Sequence, residues 1–174
     1  THIALCHYQF EAIHPFLDGN GRIGRLLITL LLIEQRILPS PILYLSAFFE
    51  AARDTYYKDV YDVSVKGAWN DWFIYFLNGV AVQSEDVLSR AERINALLEK
   101  WKLQVASTLS QIPVKMVERF AINPYLTTKK IAAELDIAYS TAQRSILKLE
   151  SAKIISQANV NKRDKVYCAN EILA

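Results

Sequence analysis

Apolar positions recur at helical spacing along most of the chain. Ile3, Cys6, Phe10 and Ile13 predict a first helix already under way near residue 1. After a glycine-rich turn, Ile23, Leu26, Leu27, Leu30 and Leu31 through Ile33 read as a central helix buried over most of its circumference and ended by "PSP" at 39–41. The stretch "ILYLSAFFEAARDTYYKDVYDVSV" continues the period through Phe49, Ala52, Tyr56 and Val60, with Ser46 as its N-cap. A long helix follows from "GAWNDWFIYFL" to about residue 105, aromatic at its start and of mixed charge towards its end. No alternating strand pattern or internal repeat interrupts this region.

From Pro113 the pattern changes. "VKMVERFAIN" is a short helix, "PYLTTKKIAAELD" a threonine-capped second one, and "AYSTAQRSILKLESAKII" a third, capped by Ser140 or Thr141. "ISQANVNKRDKVYCAN" then holds two β-like segments around a basic centre, which suits a small hairpin. Three helices and a hairpin make a winged helix-turn-helix. The expected class is mainly α in two parts, residues 1–110 and 111–174.

Composition adds limits. A content of 52% hydrophobic residues in 174 allows a substantial core, and the longest apolar run is too short to span a bilayer. A soluble protein is expected. Cys6 and Cys168 stand at opposite ends without metal-ligand spacing, so neither disulfide framework nor zinc site is indicated and a reducing cytoplasm is the simplest compartment. The opening "THIALCHYQFEAIH" has no methionine and no signal-peptide pattern, and reads as the start of a C-terminal fragment of a longer protein. Net charge is +2, but residues 111–174 carry ten positive and six negative side chains, a basic bias that suits a different partner from that of the first part.

The chemistry concentrates in "IHPFLDGNGRIGRLL". Asp-Gly, Asn-Gly and Gly-Arg are ordinary turn vocabulary, yet a plain turn needs one glycine and no histidine. Gly19, Asn20 and Gly21 at a helix N-terminus can direct successive N–H groups at an anion, and Arg22 and Arg25 share a face from which guanidinium forks grip phosphate. Asp18 would repel that phosphate unless a hard cation stood between them, which makes it a Mg²⁺ ligand. His14 can accept a proton near neutral pH, as an imidazole does. "DGNGRIGR" lacks the Gly-Lys-Ser/Thr ending of a P-loop and follows no strand, so it is not a dinucleotide fingerprint.

"HPFLDGNGRIGR" resembles the signature of Fic domain proteins at His14, Pro15, Phe16, Asp18, Gly19, Asn20, Gly21, Arg22 and Arg25. "HYQFEAIHPF", "PILYLSAFFEAARDTYY" and "GAWNDWFIYFL" are similar to bacterial members that carry a C-terminal winged helix. The resemblance implies a Fic-type helical bundle that moves AMP from ATP to a Ser, Thr or Tyr hydroxyl of a target protein. It implies His14 as general base, Asp18 as Mg²⁺ ligand, and Gly19, Asn20, Gly21, Arg22, Gly24 and Arg25 as nucleotide contacts. Phe16 would anchor the loop in the core. Glycine at 21 favours AMP transfer over phosphate transfer, since the related Doc kinases carry lysine there. Members that remove AMP share the motif. The flap that aligns the target and the inhibitory glutamate helix of many members are not identified in this chain.

For other residues the expectation is structural. His7 is assigned a core hydrogen-bonding role, and Trp69, Trp72, Phe73, Tyr75 and Phe76 core packing, with Asn70 within range of a nucleotide. In the tail, Ser140, Thr141, Gln143 and Arg144 would reach the base edges of double-stranded DNA. Lys129, Lys130, Lys148, Lys162, Arg163 and Lys165 would meet its phosphates. Winged helices also serve as protein-interaction or homodimerisation modules. The alternative to an enzyme is a DNA-binding regulator whose first part senses nucleotide.

Overall fold

The computed structural model describes residues 1–106, 110–160 and 165–173. It is mainly α, in two compact units, Thr1–Arg90 and Ala91–Ala174. Among the described residues no helix is long and apolar enough to cross a membrane.

The first unit contains α1 (His2–Ile13), α2 (Asn20–Glu34), α3 (Leu45–Ala51), α4 (Arg53–Lys66) and the start of α5 (Trp69–Val105). Its core joins Ile3 and Ala4 of α1, Ile28 and Leu32 of α2, Phe49, Tyr56 and Val63 of α3 and α4, and Trp72 and Phe76 of α5. Ala4 is small enough for Trp72 to pack against α1, and the indole Nε1–H donates to the Ala4 carbonyl at 3.1 Å. Trp72 and Phe76 are therefore core and Phe73 and Tyr75 pack against it half-buried, whereas Trp69, expected in the core, lies exposed at the first turn of α5 with its ring edge-on to Tyr8.

Two expectations change. α2 is not buried over most of its circumference: the buried stripe is Asn20, Gly24, Ile28 and Leu32, while Leu26 and Leu30 are more than half exposed. α1 covers that single i, i+4 face, and apolar content alone overstates how many neighbours a helix has. The segment after Leu45 is two helices, because Ala52 adopts φ −121° and ψ 44°. The bend keeps its hydrogen bonds, Ala52 N–H to Phe48 and Tyr56 N–H to Ala52, and brings the Phe49 and Tyr56 rings into a 5.0 Å stack. Tyr44, not Ser46, occupies the N-cap of α3.

The second unit contains the end of α5, α6 (Ile112–Ile122), β1 (Tyr125–Thr127), α7 (Thr128–Glu134), α8 (Tyr139–Ser151), β2 (Ser156–Gln157), β3 (Val166–Cys168) and α9 (Asn170–Leu173). The two β-like segments pair antiparallel, Ser156 with Cys168 and Gln157 with Tyr167. β1 adds a third strand on the other side of β3. Thr127 caps α7 as expected, its hydroxyl accepting from Lys130 N–H at 3.2 Å. α8 starts earlier than expected: Ala138 is its N-cap, and Ser140 and Thr141 fall inside the first turn. Trp101 and Val105 pack with Met116, Phe120, Ile146 and Tyr167, so the compact units divide within α5 rather than at the change of sequence pattern near residue 110.

Candidate active site

The loop between α1 and α2 is built by its own polar groups. α1 stops where His14 turns left-handed (φ 49°, ψ 57°) while its N–H still donates to Phe10 at 3.0 Å. Histidine tolerates this region better than branched residues do. The side chain of Asn20, 2% exposed, then closes the loop: its Oδ1 accepts from Phe16 N–H at 2.9 Å and its Nδ2 donates to Phe16 O at 2.6 Å. Asp18 Oδ1 accepts from Gly19 N–H at 2.7 Å. Gly19 is the N-cap of α2 at φ 80°, a backbone conformation that side-chain-bearing residues avoid.

The Phe16 ring is half-exposed, 6.2 Å from Phe10, so the expectation of a buried aromatic anchor is corrected. Asn20 does the anchoring. Its side-chain amide is consumed within the protein, so the group it can offer an anion is its backbone N–H, in the first turn of α2.

His14, Asp18, Gly19, Asn20, Gly21, Arg22 and Arg25 line one cavity of about 310 Å³. Its other wall comes from α3 and α4, with Phe49, Glu50, Arg53, Tyr56 and Tyr57. Of these, Phe49 and Tyr56 belong to the apolar period of their segment, whereas Glu50, Arg53 and Tyr57 carry no signal of a site in the sequence and reach the cavity from two helices that meet at Ala52. Arg53 lies over the Tyr57 ring at 5.6 Å and 3.9 Å from Glu50. Arg22 reaches Asp18 at 3.7 Å, an exposed pair that solvent screens. The α2 N-terminus, three arginines and a histidine give the cavity the means to hold a polyanion.

Behind the wall, Tyr56 OH lies 3.0 Å from His7 Nε2, and His7 Nδ1 lies 3.1 Å from the Gly24 carbonyl. Burial drives the His7 pKa down to about 4; the Gly24 bond opposes this and Arg25 reinforces it. His7 is therefore neutral near pH 7. A carbonyl only accepts, so Nδ1–H donates to Gly24 and Nε2 accepts from Tyr56. The chain of bonds ties the cavity wall on α4 to the backbone of α2. His7 is fully buried in the structural role expected of it.

Residues 1–32 match the sequence model described as Fic/DOC family. The N-terminal part of this chain is a Fic-family segment. The chain is 56% identical over 32 residues to a "Probable protein adenylyltransferase" of Aquifex aeolicus (strain VF5), covering 18% of this chain and 10% of that protein. It is 56% identical over 34 residues to the "Protein adenylyltransferase Fic" of Drosophila grimshawi and of Drosophila erecta, covering 20% of this chain and 7% of each relative. The aligned stretch therefore spans a tenth or less of these relatives.

Within the Fic segment, Gly24 is the one motif glycine that lies off the cavity. It is buried towards α1, where a Cβ would come 3.1 Å from Phe10 and 3.2 Å from His7. Asn70, at the start of α5, does not line the cavity. For a hard cation, Asp18 offers an exposed carboxylate with one oxygen engaged by Gly19. That fits Mg²⁺, which commonly takes one or two carboxylates and completes its shell with phosphate and water. Among the described residues no group of three or more His, Cys, Asp or Glu could hold a metal.

In the second unit, Ser140, Arg144 and Lys148 are exposed at four-residue intervals along α8. Thr141 is half-buried. Gln143 is turned inward, its Oε1 accepting from Thr128 Oγ1 at 3.2 Å, which ties α8 to α7. Lys130 is exposed and lies 3.9 Å from Glu134. Lys162 and Arg163 lie outside the described residues.

Proposed function

We propose that this protein is a cytoplasmic protein adenylyltransferase that moves AMP from ATP to a hydroxyl side chain of a target protein. The observation that carries this reading is the convergence of His14, Asp18, Arg22 and Arg25 on one cavity at the N-terminus of α2. Arg22 and Arg25 hold the β- and γ-phosphates, and the N–H groups of Asn20 and Gly21, at the N-terminus of α2, are offered to the transferring phosphate, where negative charge gathers. His14 takes the proton of the target hydroxyl as its oxygen bonds to the α-phosphorus. The bond from that phosphorus to the bridging oxygen breaks, and pyrophosphate leaves with the electron pair. Mg²⁺ held at Asp18 would neutralise charge on the phosphates. Most of the catalysis is positioning and fixed electrostatics.

The test is incubation of the full chain with Mg²⁺, a cell lysate and ATP labelled at the α- or γ-phosphate. Protein label from the α position alone, lost in His14→Ala, is the expected result. Label from the γ position would replace AMP transfer by phosphate transfer; loss of AMP from premodified protein would assign the reverse reaction.

The exposed stripe of Ser140, Arg144 and Lys148 favours a second reading, in which a winged helix formed by the second unit binds double-stranded DNA. Retention of a duplex that weakens steeply with salt would support it, and no retention at low salt would remove it.

A further inference from the structure

The cavity is lined by three arginines, and the adenylyltransferase reading gives work to two of them. Arg22 and Arg25 come from α2, whereas Arg53, the first residue of α4, comes from the facing wall. Its side chain is 61% exposed and is held by two neighbours: Nη1 lies 3.9 Å from Glu50 Oε1, and the guanidinium carbon lies 5.6 Å from the centre of the Tyr57 ring. An exposed ion pair at that distance is weak, so Glu50 orients the guanidinium without locking it. The opposite wall repeats the arrangement. There Arg22 lies 3.7 Å from Asp18, again with both side chains exposed. Neither contact uses up the five donors of a guanidinium. Glu50 also fixes which end of the cavity Arg53 serves. Together with Arg22 and Arg25 it borders the neighbouring groove at Leu26 and Tyr44, so it stands at the end where those two arginines lie. Arg53, paired with it, stands at the same end.

We propose that Arg53 is a third polyphosphate-binding residue, whose guanidinium exchanges Glu50 for the phosphate chain of ATP and meets that chain from the wall opposite Arg22 and Arg25. This deepens the adenylyltransferase reading and rests on it. Guanidinium groups on two walls enclose a phosphate chain that a single helix face would hold from one side only. The exchange is favourable because a polyphosphate carries more charge than a carboxylate and accepts several of the donors at once. Glu50 is then a competitor: it steers Arg53 while the cavity is empty and repels the phosphates when they enter. Tyr57 stays beneath the guanidinium and limits how far it swings.

The experiment is calorimetry of ATP and of AMP, with Mg²⁺, on the full chain as wild type, Arg53→Gln, Glu50→Gln and the double variant. Both side chains are exposed, so thermal midpoints should stay close to that of the wild type. Arg53→Gln should weaken ATP by about tenfold or more, the range for a lost charged hydrogen bond, and leave AMP unchanged. Glu50→Gln should tighten ATP, and should do so less when Arg53 is already glutamine. ATP affinity unchanged in Arg53→Gln, or an equal loss for ATP and AMP, overturns the proposal. The Glu50→Gln series covers the case in which Arg53→Gln does not fold: no gain in ATP affinity overturns the exchange, as does full additivity of the two changes. A wild type that binds no ATP removes this proposal and the transferase reading together. A chain that shows the expected dependence on Arg53 yet labels no protein keeps the third arginine and removes the transferase reading alone.

Discussion

Two regions of one helix treat the same residue type in opposite ways. In the interior of α1, His7 is enclosed by Phe49, Tyr56, Trp72 and Phe76, and both ring nitrogens are engaged. At the end of α1, His14 is exposed, left-handed and open to the cavity. Seven residues separate a histidine that burial holds neutral from one that stands open at the cavity. The proposed chemistry sits where the helix stops, and the hydrogen-bonded interior one layer behind ties the α4 wall to α2.

The largest expected effect breaks this division from the open end. His14→Ala should lower AMP transfer by about 10²–10⁴-fold, the range for a lost general base. Its thermal midpoint should stay close to that of the wild type, because an exposed ring holds little of the core. A large loss of stability with transfer retained would reverse the two assignments. His7→Ala should do the opposite first: removing a buried ring and stranding the Gly24 carbonyl and Tyr56 hydroxyl should cost about 3–4 kcal/mol in denaturant unfolding.

The pH dependence sharpens the contrast. His7 has a folded pKa of about 4 against an ordinary value near 6.5, so between those values the unfolded chain binds more protons. Stability should therefore fall as pH drops from 6.5 to 4 and level off below, where both states are protonated. The contribution of His7 to that fall is about 3 kcal/mol. Unfolding of His7→Phe beside the wild type isolates it: the variant should lose this part of the acid sensitivity, and parallel curves would show that His7 is not the group responsible.

How much of this could be read from the sequence depends on distance along the chain. His14, Asp18, Gly19, Asn20, Gly21, Arg22 and Arg25 meet within twelve positions, so a local pattern contains that side of the cavity. Glu50, Arg53, Tyr56 and Tyr57 reach it only when α3 and α4 fold back, and nothing in their own segment states where that face points. Gly24 shares the motif but faces α1, since helical geometry turns it away from Arg22 and Arg25. The hairpin is legible as two β-like segments around a polar, basic centre, whereas β1 runs straight into α7 and has no partner segment beside it in the sequence to mark it as a strand. At α8, Ser140 and Thr141 looked like caps by residue type. The N–H of Ile137 donating to Ala132 at 3.0 Å closes the turn earlier and puts Ala138 at the cap.

Asn20 tests whether the loop is held from beneath. Asn20→Ala removes both bonds to Phe16 and should cost about 2 kcal/mol, with faster hydrogen exchange at the Phe16 amide. Asn20→Asp should be worse, although it keeps the acceptor for Phe16 N–H. It replaces the donor to Phe16 O with a second carboxylate oxygen and puts a negative charge beneath the phosphate site. If Asn20→Asp matched the wild type, the loop would not depend on this amide.

The smallest expected effect separates shape from charge at the loop's rim. Gly19→Ala places a side chain at φ 80°, which costs about 1 kcal/mol of stability. Its Cβ would also come 3.4 Å from Arg22 Nη2. That is ordinary van der Waals contact, so the guanidinium need not move and the contact adds little to the folding cost. The added methyl group does, however, narrow the space beside the position in which Arg22 would meet phosphate. Gly19→Ala should therefore weaken ATP binding, measured by calorimetry, by a larger factor than its thermal shift predicts. Arg22→Ala made on top of it should add less than it does alone. Full additivity would mean that Gly19 acts through the backbone and that the space beside Arg22 plays no part.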